Sequence, residues 1–363
     1  MKKIILTGGG TAGHVNPNLA LVPLIKNEGI EIHYVGGKNG MEKELVAAEG
    51  IPFYGISGGK LRRYLSFKNF TDIFRIMKGF FESLLIIKKI KPAVIFSKGG
   101  FIAVPVVAAG WLMRVPVIIH ESDMTMGLAN KLSSPFATII CCTFYETLKI
   151  SPHKKMAQIG APIRKELFEG DAEAGRKICG FGADGHKPVL LVIGGSLGSK
   201  KLNEAVRDAL PELLIMFDVI HVCGAGNTDD DYNANGYVQF EYVRDEFPHL
   251  LAAADLIVSR AGANTIVELL SLKKPALLIP LPLSQSRGDQ IINAEFFEKK
   301  GFAAHLPEEF LTADSLIKKL KNLYDEKEKY ISAMDGESYD GTETIAKLLI
   351  NIVRRGHDFL GRG

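Results

Sequence analysis

Cysteine is scarce in this chain of 363 residues: there are four, Cys141, Cys142, Cys179 and Cys223, and no C-x-x-C spacing among them. Cys141 and Cys142 are adjacent on an expected strand, so they point to opposite faces and are poorly placed to pair. A reducing cytoplasm is the simplest expectation. Long apolar runs are missing too. The longest, Phe101 to Met113, contains Pro105 and stops at Arg114, which is too short to span a bilayer. Met1-Lys2-Lys3 leads straight into a short strand, with too little apolar sequence for a secretory leader. There is no low-complexity tract and no short solenoid repeat. The charge excess is small, +3 overall, and 47% hydrophobic with 23% charged residues fits a folded globular chain rather than a disordered one.

What is present is an alternation. Short runs rich in Val, Ile and Leu are separated by longer stretches of helical period. In the first half the expected strands are Lys3–Thr7, Glu31–Val35, Ala93–Ser97, Pro116–His120 and Ala137–Cys142. In the second half they are Val189–Ile193, Val219–Cys223, Tyr237–Phe240, Leu256–Ser259 and Ala276–Pro280. Such strands imply parallel sheets covered on both faces, an α/β fold. The length suggests two domains, with a seam at Gly160–Ile163: residues 1–163, then 164–341, and a final helix at about 342–363 that packs on either half. A faint internal echo links "IILTGGGTAGH" near residue 4 to "LLVIGGSLGSK" near residue 190, each a strand, a glycine turn and a helix start. Each half would present backbone N–H groups to an anion at the carboxyl end of its first strand.

Gly8, Gly10 and Gly13 of "GGGTAGHVNP" match a dinucleotide-binding fingerprint, which is weak evidence alone. The second strand ends Tyr34-Val35-Gly36-Gly37-Lys38 without the ribose-binding acid of an NAD site, while Lys38 leaves a 2′-phosphate, and so NADP, open. His14 follows at once, well placed for proton transfer beside a phosphate-sized turn. In "SRAGANTIVE", Thr265 and Glu268 fit a capping box, and Glu268 is equally a two-oxygen acceptor for vicinal ribose hydroxyls; the residues alone favour the cap. Asp289 fits an N-cap beside Gln290. "TDDDY", Thr228 to Tyr232, reads as a solvated turn, and no metal site or cofactor is assigned.

Between Lys60 and Lys91 nine Lys and Arg stand against two acids, so the rest of the chain is acidic overall. Apolar residues at positions 67, 70, 74, 77, 81 and 84 form a helical stripe, and Ile73, Ile76, Phe80 and Ile87 a second one. Part of this is a crossover helix against the sheet, but two stripes exceed what one sheet contact needs. With Arg62, Arg63, Lys68, Arg75 and Lys78 close by, the segment reads as a docking face for an anionic membrane surface. No nucleic-acid recognition motif accompanies it.

In order and spacing, "GGGTAGH", "SKGGF", "HESDMTMGLANK", "GAPIR", "GGSLGS", "RAGANTIVE" and "DQIINA" resemble the MurG family of peptidoglycan N-acetylglucosaminyltransferases. The resemblance covers nearly the whole chain. It implies the GT-B fold, two Rossmann-like doubly wound domains facing a cleft. It implies inverting transfer of GlcNAc from UDP-GlcNAc to undecaprenyl-diphospho-MurNAc-pentapeptide at the cytoplasmic face of the membrane. Carried over, Thr11, Ala12 and Gly13 line the donor sugar and diphosphate, and His14 becomes a candidate base. Asp123 stands where the family has Asn, as sugar contact or rival base, and Asn130 joins the substrate-binding residues of that motif. Arg164 and Ser196 approach the nucleotide, Val243 offers backbone to uracil, and Ala263, Asn264, Thr265 and Glu268 take the diphosphate and ribose. Gln290 would hydrogen-bond the GlcNAc hydroxyls. A nicotinamide oxidoreductase, a non-catalytic nucleotide-sugar-binding subunit and a UDP-GlcNAc 2-epimerase are the alternatives.

Overall fold

The computed structural model describes residues 2–59, 67–182, 187–195 and 198–356, with the backbone alone for 67–71. The chain divides into two compact units, Met1–Arg164 with Tyr339–Gly363, and Lys165–Ser338. Arg164 thus falls one residue on the other side of the expected seam. The return comes at Tyr339, ahead of the final helix, because its backbone already pairs with the first unit: Ala161 N–H donates to Tyr339 C=O (2.7 Å) and Gly341 N–H to Ala161 C=O (2.9 Å).

The first unit has a seven-stranded parallel sheet built from β1 (Lys3–Thr7), β2 (Glu31–Gly37), β3 (Phe53–Ile56), β4 (Val94–Ser97), β5 (Val117–Glu121), β6 (Ile139–Cys142) and β7 (Met156–Gln158), in the order β3-β2-β1-β4-β5-β6-β7. The second has β8 (Val189–Ile193), β9 (Asp218–Val222), β10 (Tyr237–Phe240), β11 (Leu256–Ser259), β12 (Ala276–Leu278) and β13 (Ala304–His305), all parallel, in the order β10-β9-β8-β11-β12-β13. Both are doubly wound sheets whose direction of growth reverses beside the first strand, which opens a crevice at the carboxyl strand ends.

Apolar alternation on two covered faces explains the near-continuous hydrophobic strands. In β1, Ile4 and Leu6 pack on one face with Ile345, Leu349 and Ile352 of the final helix, Thr342–Arg355. Ile5 packs on the other face with Ile87 and Val106. That helix therefore belongs to the first unit's core, and Lys2 closes its end by donating from Nζ to the carbonyls of Val353 (2.7 Å) and Arg354 (3.0 Å). The strands missing from the sequence reading, β3, β7 and β13, are all edge strands of two to four residues and carry no buried apolar run.

The basic segment forms the helix Phe67–Ile90. Gly79, Ser83, Ile87 and Ile90 face inward. Ile73, Phe74, Met77, Phe81 and Leu85 face outward, Leu85 being 70% exposed. The stripe through 74, 77 and 81 therefore does not cover the sheet. Arg62 and Arg63 lie outside the described residues, as does the side chain of Lys68. No helix among the described residues is long and apolar enough to cross a membrane.

Candidate active site

At the first unit's switch point Thr7 of β1 pairs with Ser97 of β4, so the loops Gly8–Thr11 and Lys98–Ile102 leave the sheet side by side. They touch so closely that a Cβ on Gly100 (φ +82°) would stand 2.4 Å from the Gly9 carbonyl oxygen. The helix Ala12–Ala20 begins with Thr11 as N-cap, and the Thr11 side chain makes no cap hydrogen bond. Its first N–H groups therefore point outward with the positive end of the helix dipole. The buried Glu42 carboxylate braces the loop from beneath, accepting the N–H of Gly37 (2.7 Å) and of Gly10 (3.4 Å). Thr11 is exposed, and Ala12, Gly13 and His14 are half-buried.

His14 is the third residue of that helix. Its Nδ1 lies 3.1 Å from the Lys98 carbonyl oxygen. A carbonyl only accepts, so Nδ1 carries the proton and the neutral ring keeps its lone pair on Nε2. The same lysine donates its backbone N–H to Thr7 C=O (3.0 Å), and its buried side chain donates from Nζ to His120 Nδ1 (2.8 Å) and to Ser122 Oγ. His120 Nε2–H in turn donates to Gly160 C=O (2.7 Å). Burial pulls the Lys98 ammonium down to about 7 against the opposing pull of Glu121 and Asp123. Burial and the Lys98 charge hold His120 well below the usual histidine range.

Asp123 is half-buried in the loop after β5. Its N–H donates to Glu121 Oε1 (3.0 Å), while Glu121 Oε2 takes the Gly127 N–H (2.8 Å) and Asn130 Nδ2 (2.9 Å). Asn130 also donates to His120 C=O (3.0 Å). Its amide group thus organises the loop that carries Asp123. His14, Lys98 and Asp123 all stand at the carboxyl edge of the sheet.

In the second unit the equivalent uncapped helix is not the one after β8. The helix Lys200–Met216 is capped by its own Ser199, whose Oγ accepts the Leu202 N–H. The helix after β11, Ala263–Ser271, has Gly262 as N-cap and no side-chain cap. This overturns the capping box, because Thr265 and Glu268 sit inside the helix rather than at its cap and third position. Ala263 is buried, and Asn264, Thr265 and Glu268 are half-buried; Asn264 and Glu268, four residues apart, share a face. Asp289 is likewise not an N-cap. Gly288 (φ +86°) takes that position in the helix Asp289–Lys300, and Asp289 pairs with Arg287 at 3.1 Å. Gln290 Oε1 accepts the Leu281 N–H (3.1 Å), which turns the amide NH2 the other way. Val243 is half-buried beyond the end of β10, and Arg164 is half-buried at the end of the first unit. Ser196 lies outside the described residues. In the "TDDDY" turn Asp229 accepts the Asp231 N–H (3.2 Å) and lies 4.0 Å from Arg207.

Three structural residues escaped the sequence reading: Glu42, Lys98 and Arg260. Arg260 is buried with its guanidinium on Glu308 and Ser199 and on the carbonyls of Ile279 (3.1 Å) and Pro280 (3.4 Å). The available signal was a second echo, Ser97-Lys98-Gly99-Gly100 against Ser259-Arg260-Ala261-Gly262, each directly after the fourth strand of its unit.

The model for the glycosyltransferase family 28 N-terminal domain matches residues 4–142, and that for the family 28 C-terminal domain matches residues 189–349. The chain belongs to glycosyltransferase family 28. Within the family it is 54% identical over 350 residues to the UDP-N-acetylglucosamine–N-acetylmuramyl-(pentapeptide) pyrophosphoryl-undecaprenol N-acetylglucosamine transferase of Clostridium tetani, covering 96% of this chain and 97% of that one. The protein of the same name from Clostridium novyi is 55% identical over 337 residues, covering 93% and 94%. Among solved structures, that of Acinetobacter baumannii MurG superposes with a TM-score of 0.73 at 26% identity, covering 97% of this chain and 100% of that one. A UDP-N-acetylglucosamine 2-epimerase from Listeria monocytogenes, at 12% identity and a TM-score of 0.66, shares the fold.

Proposed function

We infer that this chain is an N-acetylglucosaminyltransferase that moves GlcNAc from UDP-GlcNAc to undecaprenyl-diphospho-MurNAc-pentapeptide, a step in building peptidoglycan. The observation that carries this is the 54% identity, over nearly the full length of both chains, to a transferase with that name. The fold supplies what the chemistry needs. The starts of the helices Ala12–Ala20 and Ala263–Ser271, which follow the carboxyl ends of β1 and β11 and whose N-cap side chains make no cap hydrogen bond, are suited to diphosphates.

The reaction is a single displacement with inversion at the sugar carbon. The acceptor hydroxyl attacks, its proton passes to His14 Nε2, and the C–O bond to the diphosphate breaks, releasing UDP. One base is enough for this, and no carboxylate pair is called for. The tautomer fixed by the Lys98 carbonyl leaves the lone pair where a base needs it. Negative charge growing on UDP is met by the N–H groups and dipole at the start of the helix Ala263–Ser271. Glu268 accepts from the ribose hydroxyls, the Gln290 amide donates to a GlcNAc hydroxyl, and the Val243 backbone meets uracil. Thr11, Ala12 and Gly13 bind the donor sugar and diphosphate, and Arg164 contacts the nucleotide, a role that Ser196 shares by its place in the motif. Asp123 contacts sugar and is the rival base.

The lipid acceptor places the enzyme on the cytoplasmic face of the membrane as a peripheral protein, docked on anionic lipid through the exposed face of the helix Phe67–Ile90; nucleic acid is not a partner. The decisive experiment measures UDP release from UDP-GlcNAc with and without a lipid-linked MurNAc acceptor. Release that depends on the acceptor supports the transferase. Conversion of UDP-GlcNAc without any acceptor overturns it in favour of an epimerase or hydrolase.

A further inference from the structure

A buried ammonium is a costly thing to place in a core, because it forfeits hydration that only well-aimed partners replace. Lys98 is buried to within 1% of its surface, where an apolar side chain of the same length would satisfy packing. Its two side-chain partners, His120 Nδ1 and Ser122 Oγ, are neutral. Both Glu121 oxygens are occupied by N–H donors of their own loop. The ammonium is therefore tied to the end of β5 and its loop, while the backbone of the same residue bridges the crevice. Its N–H goes to Thr7 and its carbonyl to His14. The adjoining loop cannot slide, since Gly100 lies against the Gly9 carbonyl.

We propose that Lys98 is a positioning residue for the transfer: anchored on His120 and Ser122, its side chain fixes the carbonyl that holds His14 with the proton on Nδ1 and the lone pair on Nε2. The inference rests on the reading of His14 as the base. The groups that face Lys98 are His120, Glu121, Ser122 and Asp123 from β5 and its loop, Cys141 from β6, and His14 through the shared hydrogen bond. Desolvation outweighs the acids and brings the ammonium down to about 7, so its charge changes close to neutral pH. A positive charge near the imidazole lowers its proton affinity, and losing that charge raises it.

The test uses full-length K98M, H14A and the double variant, with kcat, KM for UDP-GlcNAc and the pH dependence of kcat measured for each. A base displaced by a fraction of an ångström costs on the order of 10- to 100-fold in rate. K98M is expected to lose that much kcat with KM for UDP-GlcNAc near the wild-type value, and its acid limb should move to higher pH. In the H14A background the same change should alter kcat by less than about threefold, because the group it positions is gone. If H14A is slow but K98M multiplies in its full loss, the positioning role is overturned while the base survives. If H14A itself turns over normally, the base reading falls instead. A measurement independent of turnover uses 15N-labelled imidazoles, with H14A to assign the signal. His14 of the wild type should show the Nδ1–H tautomer and K98M a mixture; an Nε2–H tautomer in the wild type refutes the proposal.

Discussion

Lys98 and Arg260 stand at the same point of the two sheets. Each follows directly on the strand beside the first strand of its unit, with Ser97 opposite Thr7 and Ser259 opposite Ile193, and each is buried. Their partners differ. Lys98 donates to neutral groups, whereas Arg260 is paired with the buried carboxylate of Glu308, which also accepts from Gln285 (3.3 Å). The fork geometry of a guanidinium suits that many-handed role, and a lysine would not fill it. R260M should therefore strand a buried charge and cost about 3–5 kcal/mol in urea unfolding, and R260M/E308Q should recover much of it. A loss below about 1 kcal/mol for the single variant would show the pair to be dispensable.

His14 gives the sharpest kinetic expectation. Removal of a general base commonly costs 10²–10⁴-fold in rate. H14A should lose about that much kcat with little change in UDP-GlcNAc affinity, and the acid limb of the pH–rate profile should disappear with it. Wild-type kcat in H14A would leave the ring a positioning role only and move attention to Asp123, whose D123N variant is then the one to assay.

Glu268 lies in the middle of its helix, clear of the cap. Glutamine has nearly the same helix propensity, so E268Q should leave stability within about 0.5 kcal/mol. If the carboxylate accepts from both ribose hydroxyls, its loss weakens UDP binding by roughly 10-fold or more, since a charge-assisted hydrogen bond contributes about 1.5–3 kcal/mol. Calorimetric titration with UDP reads this directly, and unchanged affinity removes Glu268 from the ribose site.

Most of the architecture was legible because buried parallel strands announce themselves. Leu190, Leu191 and Val192 run without a polar break because both faces of β8 are covered. The edge strands were silent for the converse reason: β7 has two exposed residues of three and β13 only two residues in all. Helix starts were harder to read. Thr265 and Glu268 have capping-box spacing, but the tight turn after β11 starts the helix at Ala263, and spacing alone carries no information on where a turn ends. Glu42 stayed hidden because charged side chains are usually solvated, and only tertiary contacts show that it is inside; for Lys98 the echo of its loop in the second unit was the one sequence signal.

Acid should destabilise the protein for a reason visible in the second unit. Burial pushes His221 down to about 3, as its ring holds the Tyr237 hydroxyl (2.9 Å) and Asn203 Oδ1 (3.1 Å). Unfolded, a histidine binds its proton near 6.5. Between those values the unfolded chain holds more protons than the folded one, so stability is lost as pH falls below about 6.5, by up to about 1.4 kcal/mol per pH unit for this group. His120 acts in the same direction. Urea midpoints at pH 7.5, 6 and 5 should fall accordingly, and H221Q should flatten the slope by one proton. An identical slope in H221Q would mean that His221 does not supply it.

The outward face of the helix Phe67–Ile90, which we propose docks on lipid, exposes large apolar and basic side chains together. Phe74 is 58% exposed, Phe81 59% and Leu85 70%, with Lys78, Lys88 and Lys89 exposed on the same helix. Burying a large apolar side chain contributes about 1.5–3 kcal/mol, and each basic residue near an anionic surface about 1 kcal/mol. The two contributions separate experimentally, because only the second is screened by salt. Binding to phosphatidylglycerol–phosphatidylcholine vesicles should rise with the anionic fraction and weaken, without vanishing, at high salt. F74S/F81S/L85S should lower vesicle affinity by more than 10-fold at any salt concentration, while K78E/K88E/K89E should lower it chiefly at low salt. Neither variant should change UDP binding. If the apolar triple variant sediments with vesicles as the wild type does, this face does not meet the membrane and its exposure needs another occupant.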